Sequence, residues 1–245
     1  MMSGMRGIQL LSGVALLCAV ALACTVSGPT ANSGRDTSPG PCQRIHELGP
    51  DYSLGAGERV TFALAEQYGQ TGVEITSCIR GPLGYVQEWR APGFAGSTGF
   101  ELPGPVKVNS LKTPSGSFSM SEAFGRRNPG TALPYRELRE DSYWGGTKGT
   151  NFNEYFQGAG TWPDESLWDY MEAGIYEQAA VINYNRPPDM EPVHGRTFAI
   201  FLHAGLSETW GCISTDLDTV TRFLRTAQPG EHIIMGVEST IFATP

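Results

Sequence analysis

The chain has 245 residues, 40% hydrophobic and 17% charged, enough for one sizeable core or at most two small domains. A formal charge of −8, with no lysine or arginine block, excludes the electrostatic footprint of a nucleic-acid binder. Frequent glycine (31) and proline (17) predict many turns and few long helices.

Residues 1–7 carry one positive charge, Arg6, and no acid, and residues 8–23 are almost wholly apolar and small. That is the n-region and h-region of a secretory signal peptide (1–23), too short for a membrane span. It ends Val20-Ala21-Leu22-Ala23-Cys24 and resembles a bacterial lipoprotein cleavage box. Lipidation of Cys24 would anchor the chain to the outer face of the cytoplasmic membrane. Ordinary cleavage near Ala23, with Cys24 incidental, is the alternative. Either way an exported protein of the cell envelope is expected. Residues 24–41 hold no aromatic side chain and read as a flexible tether, with a single folded domain over 42–245.

Five cysteines are present. Cys18 would leave with the signal peptide and Cys24 would carry lipid. In an oxidising compartment Cys42 and Cys78 can pair as a disulfide. Cys212 is left over, and an unpaired exported thiol is either buried or used.

In chain order, short runs at 59–65, 73–79 and 83–90 read as strands separated by glycine-containing turns. Residues 112–118 (KTPSGSF) read as a turn followed by a short strand. Residues 124–156, rich in glycine, asparagine and aromatics, read as a long structured loop with one helical turn at 135–140. A short helix is expected at 164–172, capped by Asp164, with Leu167, Trp168 and Met171 on one face. Residues 179–184 and 197–203 read as buried strands. Ser214 or Thr215 caps a helix in which Leu217, Val220 and Leu224 recur at helical spacing. Pro229-Gly230 ends it and 232–237 forms a last strand. The fold class is mainly β with one or two packed helices (α+β).

His203 ends an apolar strand, and the chain returns nine residues later (212 − 203) with Gly211-Cys212, through a loop containing Gly205. A free thiol is only a few per cent ionised at neutral pH. An imidazole and the N-terminus of the following helix would both favour the thiolate, and the imidazole supplies the proton transfers of acyl transfer. Gly211 would let backbone N–H groups approach an oxyanion. Core packing of Gly-Cys-Ile is the competing reading.

His203 at a strand end, Gly211-Cys212-Ile213, the following helix and the closing strand with Gly236 together resemble the catalytic domain of L,D-transpeptidases. Lys112-Thr113-Pro114-Ser115-Gly116-Ser117-Phe118 is similar to a turn upstream in that family. The resemblance spans about 59–237 and implies an L,D-transpeptidase-like β-sandwich or barrel. It implies that Cys212 attacks the carbonyl between the third and fourth residues of a peptidoglycan stem tetrapeptide, releasing D-alanine. His203 takes the thiol proton, oriented by the Ala204 carbonyl, and amides near Gly211 and Cys212 form the oxyanion hole. A side-chain amine of another stem then resolves the acyl-enzyme. Carbapenem β-lactams are implied inhibitors, and no metal or organic cofactor is implied. The chain departs from the family pattern where Trp210 follows Thr209 in place of histidine, where Ser214 stands in place of arginine, and in a shorter loop before Cys212. An L,D-carboxypeptidase using the same site and a non-catalytic wall-binding lipoprotein are the rival readings.

Other residues are candidates to line the cleft: Asn183, Tyr184, Asn185 and Arg186 after a buried strand, and Trp210 beside the thiol. His46, His194 and His232 match no metal-binding spacing.

Overall fold

The computed structural model describes residues 39–149 and 151–242. The expected signal segment, Cys24 and residues 25–38 of the expected tether lie outside the described residues. Among the described residues, a 3-10 turn at Ile45–Glu47, twelve strands and three short α-helices follow one another. The first four strands are β1 (Arg59–Ala65), β2 (Gly72–Gly81), β3 (Gly84–Phe94) and β4 (Gly116–Gly125). Then come β5 (Tyr135–Glu137), β6 (Ser142–Trp144), β7 (Tyr155–Gln157), β8 (Glu165–Ser166) and α1 (Leu167–Glu172). The last are β9 (Gln178–Ile182), β10 (Phe201–Ala204), β11 (Ile213–Thr215), α2 (Leu217–Thr226), β12 (His232–Val237) and α3 (Glu238–Ile241). The fold is mainly β with a few packed helices.

The large sheet runs β12-β1-β2-β3-β11-β10-β9-β4, and β4 pairs back onto β12, so these strands close into a ring, with β5 attached to the outside of β4. A second, small sheet runs β7-β6-β8. Successive side chains of a strand point to opposite faces, and at β9 and β10 both faces are covered. On one face Ala63, Ile75, Met120, Ile182, Leu202 and Ile233 form the largest core, joined by Val220, Phe223 and Leu224 of α2. On the other face of β9 and β10, Ala179, Val181 and Phe201 pack with Trp144 of β6 and with Leu167 and Met171 of α1. Double coverage explains why β9 and β10 read as unbroken apolar runs instead of alternating ones. It also places the small sheet and α1 over the face of β10 that carries His203. A third cluster, built on Val60, Phe62, Leu64 and Ile234, encloses the Cys42–Cys78 disulfide, whose Cα atoms are 5.5 Å apart.

Several local expectations change. Residues 135–137 are a strand parallel to β4, not a helical turn, because Tyr135 anchors to the ring by donating its hydroxyl to Gln178 Oε1 at 2.8 Å. The segment read as a long loop therefore contains β5, β6 and β7. Helix α1 is capped by Ser166, whose Oγ accepts from Asp169 N at 3.2 Å. Asp164 instead gathers the amides of Gly146, Thr147 and Thr161 at 2.9, 2.9 and 3.1 Å. Asp216 caps α2, accepting from Thr219 N at 2.9 Å. Ser214 and Thr215 cannot cap it, since both are paired in β11 with β10.

Candidate active site

Three parallel pairs, Leu202 with Ile213, His203 with Ser214 and Ala204 with Thr215, fix the approach of the Cys212 turn to β10. The turn is built around Thr209, whose hydroxyl donates to the Cys212 carbonyl at 2.7 Å and accepts from Gly211 N at 3.0 Å. Thr113, from the KTPSGSF turn, donates to the same Cys212 carbonyl at 3.4 Å. The Lys112 carbonyl lies 3.2 Å from where a Cβ on Gly211 would sit, and Gly211 has φ +146°. Glycine is required there by both backbone angle and space. The KTPSGSF turn and the cysteine turn are thus one structural unit.

Cys212 and His203 line one cavity of ≈ 290 Å³. Both are nearly buried, 8% and 5% exposed. His203 is oriented by the Ala204 carbonyl, 2.7 Å from Nδ1. That carbonyl accepts Nδ1–H, which leaves Nε2 as the basic nitrogen. Burial lowers the His203 pKa to about 4, against the opposing pull of the Ala204 and Ile175 carbonyls, so the ring is neutral at pH 7. Tyr176 packs edge-on against it, with centroids 5.3 Å apart.

The thiol is not an ion-pair partner of this ring. Cys212 Sγ donates to the Ala199 carbonyl at 3.2 Å and accepts from Phe201 N at 3.3 Å. Burial pushes its pKa well above the ordinary thiol range, and the Glu165 carboxylate adds to the effect. The expected help from a helix N-terminus is absent, because β11 intervenes and α2 begins only at Leu217. The resting pair is a neutral base and a protonated thiol, a state suited to general-base transfer during attack. Of the two oxyanion donors expected, Gly211 N is committed to Thr209, and the Cys212 amide is unpaired among the described residues.

The 183–186 group does not line the cavity. Asn183, Tyr184, Asn185 and Arg186 are all buried. Asn183 Nδ2 donates to Ser119 Oγ at 2.9 Å, and Arg186 pairs with Glu122 at 2.8 Å. Tyr184 Oη accepts from Val106 N at 2.7 Å, and Asn185 Nδ2 donates to the Val193 and Thr197 carbonyls. Nearly all of these polar groups satisfy a neighbouring segment, as burial demands, the buried Arg186 Nε being without a partner among the described residues. Ser214 and Thr209 do line the cavity, and Ser214 also donates to the Ser207 carbonyl at 2.7 Å, holding the loop before Cys212. Trp210 behaves differently: it is 69% exposed at the cavity mouth.

Two residues were overlooked in the sequence. Asn153 is a buried hub in the long loop. Its Oδ1 accepts from Trp144 Nε1 and Ala199 N, and its Nδ2 donates to the Tyr184 and Asn185 carbonyls. It thereby positions Ala199, a non-glycine residue at φ +54° whose carbonyl holds the thiol. Glu165, on β8, lines the cavity opposite Cys212. Neither belongs to a local motif.

No protein-family model and no curated relative matches the chain. Among solved structures, the helical cell shape determining protein Pgp2 from Campylobacter jejuni aligns at 17% identity and TM-score 0.40, over 81% of this chain and 56% of that one. Bd1075 from Bdellovibrio bacteriovorus aligns at 16% identity and TM-score 0.39, over 77% of this chain and 53% of that one. The chain spans about half the length of each.

Proposed function

We propose that the chain is an exported cysteine acyltransferase of the L,D-transpeptidase kind, acting on peptidoglycan stem peptides at the outer face of the cytoplasmic membrane. The observation that carries this reading is the shared cavity of Cys212 and His203, with His203 Nδ1 fixed by the Ala204 carbonyl. The cysteine turn and the KTPSGSF motif on which the sequence resemblance rests meet beneath that cavity.

In this mechanism the thiol leaves the Ala199 carbonyl as the peptide docks. His203 Nε2 takes the proton as sulfur attacks the carbonyl between the third and fourth stem residues, and the Cys212 amide donates to the oxyanion. The protonated imidazole then returns its proton to the departing amine of D-alanine. An acceptor amine resolves the thioester and forms a cross-link. Water in its place gives an L,D-carboxypeptidase, a reading favoured by the exposed Trp210, which leaves the cavity lining in contact with solvent. A wall-binding lipoprotein without activity is the reading from another class.

The test is mass spectrometry of products from purified protein incubated with disaccharide-tetrapeptide, beside Cys212→Ala and His203→Ala variants. A cross-linked dimer formed with loss of D-alanine, and absent with Cys212→Ala, is the expected result. Tripeptide monomer alone would assign the carboxypeptidase. Unchanged tetrapeptide would leave the binding protein.

A further inference from the structure

Glu165 is a carboxylate that the acyl-transfer chemistry of Cys212 and His203 does not use. It sits on β8, where Trp144 pairs with it across the strand, and therefore belongs to the layer laid over β10. One oxygen, Oε2, accepts from Tyr176 Oη at 3.0 Å. The other, Oε1, has no hydrogen-bond partner among the described residues, and no arginine, lysine or histidine forms an ion pair with Glu165 there. Glu165 is half-buried, and a carboxylate drawn partly out of water normally recruits a cation or several donors. This one has a single phenol and an open cavity.

The position of that cavity is informative. Glu165, Tyr170, Phe198 and Trp210 line both the Cys212 cavity and a second one of ≈ 300 Å³ that continues toward Trp162 and Arg196. Trp162 and Trp210 are 76% and 69% exposed. The carboxylate thus stands where two chambers adjoin, with the thiol on one side. An acyl-transfer enzyme must hold two chains on either side of its nucleophile, and a junction of this kind provides room for both.

We propose that Glu165 is the cation-recognising group of the cleft, its free Oε1 taking a primary ammonium carried by the second, acceptor substrate. This rests on the acyl-transfer function for the identity of that substrate. The carboxylate accepts one proton from the ammonium and leaves a neutral amine. The amine attacks the Cys212 thioester; the C–N bond forms and the C–S bond breaks. Its remaining surplus proton passes through His203 to the departing sulfur, restoring the thiol. Burial raises the Glu165 pKa to about 7, which suits a group that must both pair with a cation and accept its proton near neutrality. The other titratable groups facing it are Tyr170, Tyr176, His203 and Cys212 on the near side and Glu208, His194 and Arg196 farther along the two chambers.

The charge preference at the thiol can be measured without the peptide substrate. Cys212 is treated with 2-aminoethyl methanethiosulfonate, which is cationic, and with methyl methanethiosulfonate, which is neutral. Each transfers its alkylthio group to sulfur and releases methanesulfinate. Rates are divided by those of free cysteine in the same buffer. Wild-type protein above the Glu165 pKa should favour the cationic reagent on the order of tenfold, the scale of one charge-assisted contact. Glu165→Gln, which keeps an oxygen for Tyr176, should bring the ratio to that of free cysteine. The wild-type ratio should also collapse as pH falls below about 6, where the carboxyl is protonated, so the outcome does not depend on a variant that folds.

An equal ratio in wild type and Glu165→Gln overturns the proposal. So does a thiol that neither reagent reaches, since a cavity closed to them is closed to an amine. With tetrapeptide, Glu165→Gln should form the Cys212 acyl-enzyme yet make at least tenfold less dimer relative to tripeptide. Equal loss of both products would also overturn it. Failure of the wild-type protein to process tetrapeptide, with the reagent preference intact, would sink the proposed function and spare the cation site.

Discussion

The Cys212 thiol donates its proton to the carbonyl of Ala199, 3.2 Å away. That contact orients the resting nucleophile. Burial is the main reason it stays protonated, the Glu165 carboxylate acts in the same direction, and the Phe201 amide opposes them. Free in water, a thiol ionises near pH 8.5. Alkylation of Cys212 by iodoacetamide should therefore keep accelerating well past that point, beyond about pH 9.5. A rate already level at or below about pH 8.5 would mean a preformed thiolate and would contradict this geometry.

A neutral His203 beside a neutral thiol assigns the imidazole a measurable share of the attack. Incubation with a carbapenem should raise the intact mass by the whole inhibitor, because ring opening breaks the lactam C–N bond and loses no atoms. Cys212→Ala should show no adduct. His203→Ala should acylate about 10²- to 10⁴-fold more slowly, the usual contribution of a positioned general base. An unchanged rate would remove His203 from that role.

Asn153 supports the site from beneath. Its side chain satisfies two donors and two carbonyls, all buried, and one of the donors is the amide of Ala199. Asn153→Ala should cost about 2–4 kcal/mol in urea unfolding, since each orphaned buried group carries its own desolvation penalty. It should also slow Cys212 acylation in the protein that remains folded, because the Ala199 kink loses its anchor. A loss below about 1 kcal/mol would show that the hub is not a structural centre.

What the sequence made legible follows from how local each signal is. The runs at 59–65 and 232–237 are dense in β-branched and aromatic residues, and β1 and β12 lie where they predict. The turn at Gly211-Cys212 and the apolar run 197–203, of which only the last part forms β10 (Phe201–Ala204), are short-range patterns, and both cavity-lining side chains could be named from them. Neither β5 nor the layer over β10 could be read in this way. Strands β5 to β8 are two or three residues long, too short to show a period, and β5 is held by an isolated contact, Tyr135 to Gln178. Glu165 was missed because its importance comes from lying across the cavity from residues about forty positions away. The polar run at 183–186 misled in the opposite direction. Polar residues after a strand usually face solvent, but here the covering layer buries them and their hydrogen bonds close within the fold.

Glu165 and His203 carry opposite pH signatures, and these can be separated. The pKa of His203 falls from 6.5 to about 4 on folding. Its contribution is complete above the unfolded value and is lost as pH drops toward about 4, because the unfolded chain takes up the proton first. The pKa of Glu165 rises from 4.5 to about 7. Its contribution is complete below the unfolded value and is lost as pH rises toward about 7, because the native state holds its proton longer. Each shift is worth about 3 kcal/mol at most, and over the shared window, about pH 4.5 to 6.5, the two slopes oppose each other. Urea unfolding across that window should show a Glu165→Gln protein gaining stability with pH more steeply than wild type. A His203→Gln protein should lose stability over the same range relative to wild type. All other carboxylates are common to the three proteins, so the differences isolate the pair. Parallel curves would mean that neither group is held in the state its surroundings impose, and the neutral resting site would fall with them.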